Sequence, residues 1–403
     1  MASLAKEAIF IVGAKRTPFG AFGGKLKNLS ATDLAVHSSK AALAQAGLSG
    51  SKVDETFVGN VTQSSLDAAY LARHVALRSG VPVKSPAMTI NRLCGSGFET
   101  ICLGTEAIIQ KRASISLCVG TESMSQAPMV IDGLTARWGA QLGKGMIAED
   151  SLWAGLTDTY AKMSMGLTAE KLGEQYKITR EQCDEFGLRS QTLWQKANDA
   201  GVFNAEIAPL ELKGRKGPDV MTTDEHPRKD SKIADLTKLK PVFKPEGGLV
   251  TAATASGICD GAGSLIIASE SAVKDNNLKP LARVIAWSRT GCDPSIMGIG
   301  PVEAIKTTLA IANLKISDMD VVEINEAFAA QFLSCAKELN LDLNKTNVSG
   351  GAIALGHPLG ASGSRIMANL THELVRTKKR YAIGSACIGG GQGIAVLIEN
   401  ATL

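Results

Sequence analysis

Two stretches, Leu43-Ala44-Gln45-Ala46-Gly47-Leu48 and Val53-Asp54-Glu55-Thr56-Phe57-Val58-Gly59-Asn60, decide the fold, because each returns near the other end of the chain. The first is echoed by Leu309-Ala310-Ile311-Ala312-Asn313-Leu314 and the second by Met319-Asp320-Val321-Val322-Glu323-Ile324-Asn325, at an offset of 265 or 266 residues. Carrying the offset forward pairs Cys94-Gly95-Ser96-Gly97 with His357-Pro358-Leu359-Gly360-Ala361-Ser362-Gly363, and residues 116–125 with 380–390. Four matched segments, in order and at one offset, mark a duplicated βαβ-containing unit. Two related halves packed together bring equivalent loops side by side. A site shared across their pseudo-twofold interface follows.

Outward from the repeat, short β-branched runs alternate with helical segments, as at 9–12, 34–46 and 56–58, which is α/β patterning. Residues 127–249 break that rhythm with Gly, Met and charge-rich stretches. Within them, Lys213-Gly214-Arg215-Lys216-Gly217-Pro218 and Asp224-Glu225-His226-Pro227-Arg228-Lys229-Asp230 predict exposed turns. The expected organisation is an N-terminal half over 1–126 with 250–275, an inserted loop domain over 127–249, and a C-terminal half over 276–403. The insert reads either as a solvated flap or as a lid over a substrate.

Composition narrows the function. The chain has 403 residues, enough for a large core and two or three domains. Lys and Arg number 43 against 39 Asp and Glu, a net charge of +4, which argues against nucleic-acid or membrane-surface binding. With 41 glycines and only 4% aromatics, small-residue packing and tight turns are expected. No apolar run approaches the roughly 18 residues that span a bilayer, so no membrane insertion is expected. The eight cysteines include no C-x-x-C pair, which points to neither a zinc site nor a thioredoxin motif, and to a reducing compartment. Only residues 1–7 precede the apolar run 8–12, too few for a conventional cleavable presequence, and Ala401-Thr402-Leu403 is not a peroxisomal ending.

Four clusters carry the chemistry. In Asn91-Arg92-Leu93-Cys94-Gly95-Ser96-Gly97-Phe98, the cysteine lies where an extended run, 87–90, turns into an amphipathic stretch, 99–110. Unpaired N–H groups and the positive end of the helix dipole lower a thiol's pKa there, so Cys94 is expected to be a nucleophile with thiolate character. Glycines beside it let a substrate approach the backbone. The segment Gly350 to Gly360 carries one histidine, His357, which the repeat places opposite Cys94; a Cys/His pair is an activated nucleophile. In Gly384-Ser385-Ala386-Cys387-Ile388-Gly389-Gly390-Gly391-Gln392-Gly393, a second thiol beside bare backbone N–H groups points to an acid/base partner next to an oxyanion site. The Lys and Ser/Thr of a P-loop are absent there. Finally, Asn325 in Asn325-Glu326-Ala327-Phe328 either caps the next helix or faces the site. Gly13-Ala14-Lys15-Arg16-Thr17-Pro18 lacks a G-x-G-x-x-G, which removes a nicotinamide oxidoreductase.

Together, N-R-L-C-G-S-G, N-E-A-F, G-H-P and C-I-G-G-G-Q-G resemble the thiolase family over essentially the whole chain. The resemblance implies two duplicated halves in a layered αβαβα arrangement with an inserted loop domain. It implies degradative thiolysis, in which 3-ketoacyl-CoA and CoA give acetyl-CoA and a shortened acyl-CoA, reversibly and by a ping-pong route. Cys94 would carry the acyl group, His357 would activate it, and Cys387 would move the proton at the substrate α-carbon. A water held by Asn325, together with His357, would form one oxyanion hole, and the N–H groups of Cys94 and Gly389 the other. CoA would be a co-substrate held by Arg228, Ser231 and Ser256, with no permanently bound cofactor and no metal. The resemblance also implies a homodimer or homotetramer and a mitochondrial location, with the cytosol as the other compartment. Two residues depart from the family pattern: Thr254 stands where many relatives have Asn, and Ser164 where enzymes dedicated to acetoacetyl-CoA usually have His. The second favours a broad 3-ketoacyl range. The competing readings are a biosynthetic acetoacetyl-CoA thiolase and a non-catalytic acyl-CoA or lipid carrier, which retention of both thiols disfavours.

Overall fold

The computed structural model describes residues 7–214 and 217–403. Its sheet strands are β1 (Ile9–Arg16), β2 (Glu55–Gly59), β3 (Ala87–Ile90), β4 (Ile115–Ser123), β5 (Cys259–Ser269), β6 (Ala282–Gly291), β7 (Val321–Ile324), β8 (Tyr381–Ile388) and β9 (Gln392–Asn400). Strand β1 is the seam. On one side it pairs antiparallel with β5 along its length, and the N-terminal half continues through β4 and β2 to β3. On the other side it meets β6 only at Phe10↔Arg283 and Ile11↔Ala282, and the C-terminal half continues through β9 and β8 to β7. A two-residue strand, Gly20–Ala21, adds to the end of β5. Strand β2 runs parallel to β3 and β4, as β7 does to β8. Strands β4 and β5 are buried throughout, as strands covered on both faces must be.

The helices that build the layers are α1 (Ala31–Ala46), α2 (Ser96–Ile109), α3 (Arg180–Asp199), α4 (Gly300–Ile311), α5 (Ala329–Leu339) and α6 (Ser362–Thr377). Helix α1 starts at a Ser30/Asp33 capping box, stops at Gly47 in the left-handed region, and covers the N-terminal sheet. Helix α4 covers the C-terminal sheet. Helices α2 and α6 lie between the sheets, and α6 touches strands of both. The order of layers is therefore αβαβα, as the repeat and the resemblance implied.

The two central helices cross backbone to backbone. A Cβ on Gly97 would stand 2.5 Å from Ser364 N, and one on Gly363 would collide with Phe98 N. These glycines are equivalent at an offset of 266 residues, Gly363 against Gly97, so the pseudo-twofold axis passes between them. It sets the turns that precede both helices against each other.

Within 127–249, α3 packs on the C-terminal half: Phe186 stacks on Phe332 of α5 with ring centroids 4.3 Å apart. The turn expected at 213–218 is a hairpin of strands Leu210–Gly214 and Gly217–Met221, and Arg215 and Lys216 lie outside the described residues, as do residues 1–6. The turn expected at 224–230 is exposed only from Arg228 onward. Asp224 is buried, because Arg16 at the end of β1 reaches it with two hydrogen bonds, 2.6 and 3.0 Å, and also bonds Glu206 at 2.6 Å. Among the described residues no helix is long and apolar enough to cross a membrane.

Candidate active site

Cys94 occupies a single 3-10 turn, Leu93–Gly95, between β3 and α2. The turn is bent by Leu93, which holds φ at +46°, a left-handed conformation that costs a non-glycine residue about 1–2 kcal/mol. Local bonds hold it there: Leu93 N–H donates to Asn91 Oδ1 (2.9 Å), Arg92 N–H to Ser96 Oγ (2.8 Å), and Ser96 Oγ–H to Leu93 O (2.7 Å). A Cβ on Gly95 would touch Ile388 at 2.5 Å, so the end of β8 lies against this turn. The backbone N–H groups of Gly389 and of Cys94 itself lie near the thiol and pull its pKa down.

His357 enters from the C-terminal half in the loop before α6. Its backbone N–H donates to Gly257 O (2.8 Å), and Nδ1 lies 2.6 Å from Ser362 Oγ, whose own proton goes to Pro358 O (3.0 Å). That network assigns the proton to Nδ1 and makes Nε2 an acceptor. Asn325 Nδ2 lies 3.3 Å from Nε2, while Asn325 Oδ1 is buried without a partner among the described residues. Asn325 does not cap a helix: Phe328 is the N-cap of α5. Cys387, fully buried near the end of β8, packs with Met297, Ala327, Met165 and Phe328, and Cys94 is near enough to perturb it.

The electrostatics correct one expectation. Cys94 is not acidified by its place before α2; burial pushes the thiol up to about 11, against the pull of the Gly389 and Cys94 N–H groups. Removing a thiolate from water outweighs two backbone dipoles. Burial, and then the charge of Arg365, holds His357 down at about 3. Burial also raises Cys387 well above the ordinary thiol range. The site at rest holds a neutral thiol and a neutral imidazole whose Nε2 faces the Asn325 amide, and not a preformed ion pair.

Of the three residues expected to hold CoA, Arg228 and Ser231 lie on one strap and Ser256 on a separate loop. Ser231 Oγ–H donates to Arg228 O (2.7 Å), Arg228 N–H to Gln191 Oε1 (2.9 Å), and the Arg228 side chain is exposed. The strap is pinned by His226, whose Nδ1–H donates to Ala354 O (2.7 Å) and whose ring presses on Gly257. Next to Gly257 is half-buried Ser256, with its N–H on Ala327 O (3.0 Å). Ser256 thus sits between the loops of Asn325 and His357, and Arg228 lies two residues beyond the His226 anchor. Thr254, the departure from the family pattern, uses its hydroxyl to close the turn on Leu249 O (2.9 Å), while its carbonyl receives Ala329 N–H (2.8 Å).

Residues 9–271 match the thiolase N-terminal domain and residues 278–400 the thiolase C-terminal domain. The chain belongs to the thiolase family. It is 57% identical to the mitochondrial 3-ketoacyl-CoA thiolases of Homo sapiens and Bos taurus, over 98% of this chain and of each relative. It is 42% identical to an acetyl-CoA acetyltransferase of Syntrophomonas wolfei, covering 97% of this chain and 98% of that one. Among solved structures, human mitochondrial 3-ketoacyl-CoA thiolase superposes with a TM-score of 0.97 at 56% identity, covering 99% of this chain and 100% of that one. Its complex with CoA gives 0.96 at 55% identity, covering 99% of each.

One residue beside this thiolase's Cys94 turn had no readable role in the sequence: Glu122, on the buried strand β4, falls within the matched segment 116–125 but outside the four motifs. Ser362, which sets the His357 tautomer, lies inside the matched glycine-rich turn, where its polarity at the head of a helix was visible.

Proposed function

We propose that this thiolase is an acyltransferase that cleaves 3-ketoacyl-CoA with CoA to acetyl-CoA and an acyl-CoA shortened by two carbons, in fatty-acid β-oxidation. The observation that carries the reading is the Cys94 turn of one half set against the His357 turn of the other, with the Gly389 and Cys94 N–H groups near the thiol and the imidazole fixed by Ser362. His357 Nε2 takes the Cys94 proton as sulfur attacks the C3 ketone, and the alkoxide forms against those two N–H groups. The C2–C3 bond then breaks, its electron pair passes into an acetyl-CoA enolate, and Cys387 delivers the proton to C2. The enolate oxygen faces Asn325 and the Nε2–H that His357 now carries. After acetyl-CoA leaves, Cys387 removes the proton of an incoming CoA thiol, whose sulfur takes the acyl group from Cys94, and His357 returns its proton. An oxyanion-hole donor contributes about 3 kcal/mol to such a step. Because a thioester is kept throughout, the sequence is ping-pong and reversible.

Arg228, Ser231 and Ser256 hold CoA in this reading, Arg228 at the nucleotide and Ser256 along the pantetheine, with CoA as co-substrate and no permanent cofactor. Residues 127–249 form the loop domain, between halves 1–126 with 250–275 and 276–403. Large apolar side chains exposed in that segment, Leu134, Trp138, Leu142 and Ile147, support a homodimer or homotetramer. The relatives' names support a mitochondrial location. The deciding experiment is mass spectrometry of the protein mixed with acetyl-CoA or a 3-ketoacyl-CoA alone, with an acyl adduct expected on Cys94. Turnover that vanishes at six carbons and beyond would replace this reading with an acetoacetyl-CoA thiolase.

A further inference from the structure

Glu122 is buried in the middle of the molecule, and all four of its bonds come from N–H donors. Oε1 accepts from Asn60 Nδ2 (3.0 Å) and Thr62 N–H (2.9 Å), and Oε2 from Val61 N–H (3.1 Å) and Gly360 N–H (2.8 Å). Four donors fill the acceptor positions of an ionised carboxylate and favour that form, while burial works against them and raises its pKa to about 7, so the group is charged above neutrality. Three of these bonds lie in the N-terminal half, and the fourth crosses to the turn that follows His357. Residues adjacent to these partners wall the nucleophile: Cys94 packs in one apolar cluster with Val61, Met124 and Leu359. Val61 is itself a donor to Glu122, Met124 follows it by two residues, and Leu359 precedes Gly360.

The bonds continue to both reacting groups. Asn91 Nδ2–H donates to Val61 O (3.3 Å), and Asn91 Oδ1 accepts from Leu93, whose left-handed backbone turns Cys94 toward the site. On the other side, Gly360 belongs to the turn whose Pro358 carbonyl fixes the Ser362 hydroxyl and, through it, the His357 ring. We propose that Glu122 is a positioning residue that clamps the Cys94 turn of one half to the His357 turn of the other and sets their reacting distance. This rests on the proposed roles of Cys94 and His357. Burial is the main cause of the thiol's raised pKa, and the charge of this carboxylate adds to it in the same direction as the smallest contribution.

This gives a signature that a merely structural carboxylate would not. In Glu122→Gln the amide turns one donor against the N–H groups and removes the charge. Turnover should fall at least tenfold with KM for CoA within twofold, while iodoacetamide alkylation of Cys94, read by peptide mass spectrometry at pH 8 without substrate, becomes faster, because loss of the charge lowers the thiol's pKa. Turnover within twofold of wild type overturns the inference, and so does slow turnover with unchanged or slower alkylation. If Glu122→Gln does not fold, Glu122→Asp is read instead: tenfold slower turnover at unchanged KM supports the clamp, and wild-type turnover overturns it. Failure of both variants to fold assigns Glu122 to stability alone and overturns it as well. Wild-type protein is mixed with acetyl-CoA in parallel. Absence of an acyl adduct on Cys94 would remove the parent reading, and this one with it, whereas an adduct with normal Glu122→Gln kinetics removes this one only.

Discussion

The turns Leu93–Gly95 and Leu359–Ala361 are built alike, each a single 3-10 turn leading into a central helix, yet they are spent differently. At the shared offset of 266, Cys94 stands against Gly360, Asn91 against His357, Gly59 against Asn325, and Thr121 against Cys387. The register of β2 on β4 (Glu55↔Ser116) and of β7 on β8 (Val321↔Ala382) fixes the last two correspondences. In the N-terminal half, Asn91 shapes its own turn and Thr121 donates to Ala31 O (2.7 Å). In the C-terminal half, those positions hold the imidazole and the second thiol. Duplication thus supplied two equivalent turns set against each other, and in the proposed reading the halves divide the work: nucleophile from one, proton handling from the other.

The division predicts unequal losses. Cys94→Ala should abolish the acyl-enzyme and reduce turnover to background with the fold intact, because the C-terminal half offers only Gly360 at that place. A covalent adduct surviving on the protein would break the assignment. His357→Ala and Cys387→Ala remove proton transfers and not the bond-forming atom, so each should lose at least about a hundredfold in kcat. Near-normal kcat in either would return that side chain to the structure. The comparison sharpens if Cys387→Ala still labels at Cys94 with iodoacetamide.

A second test addresses the axis itself. Gly97→Ala and Gly363→Ala each put a methyl group into the backbone of the opposing helix, which cannot yield as a side-chain tip can. Overpacking of this kind costs about 1–3 kcal/mol or more, so both variants should melt markedly lower, and to a similar degree if the halves share the crossing equally. An unchanged melting temperature for one of them would show that the helices do not meet there.

The repeat, the layers and all four motifs could be read from the chain because each is local: a few consecutive residues with glycine where backbones approach. Gly97 and Gly363 fall in the two segments that the offset paired, and they meet in space. The thiol's protonation state was not readable, since it depends on how completely the surrounding loops exclude water, which no stretch around Cys94 records. Nor was Glu122, whose meaning depends on Asn60, Val61, Thr62 and Gly360 converging on one carboxylate. Position 325 left two roles open, and only the placement of Phe328 as the helix cap resolved them.

The smallest expected effect sets a carboxylate of one half against the imidazole of the other. His357 is held at about 3, below the ordinary 6.5 of a histidine, so between those values the unfolded chain binds a proton that the folded protein refuses. Its contribution to stability therefore rises with pH across that window and is lost as pH falls. Burial holds Glu122 at about 7, above the ordinary 4.5, so between 4.5 and 7 the folded protein keeps a proton that the unfolded chain has released, and its contribution falls as pH rises. Each slope is at most about 1.4 kcal/mol per pH unit. Melting temperatures of wild type, His357→Gln and Glu122→Gln between pH 4.5 and 6.5 separate the two. The difference between wild type and His357→Gln should grow more favourable to wild type with rising pH, and that between wild type and Glu122→Gln less favourable. Slopes of the same sign would mean that one of the two groups is solvated in the folded protein, and the site would then lack the dry interior that keeps its thiol and imidazole neutral until substrate arrives.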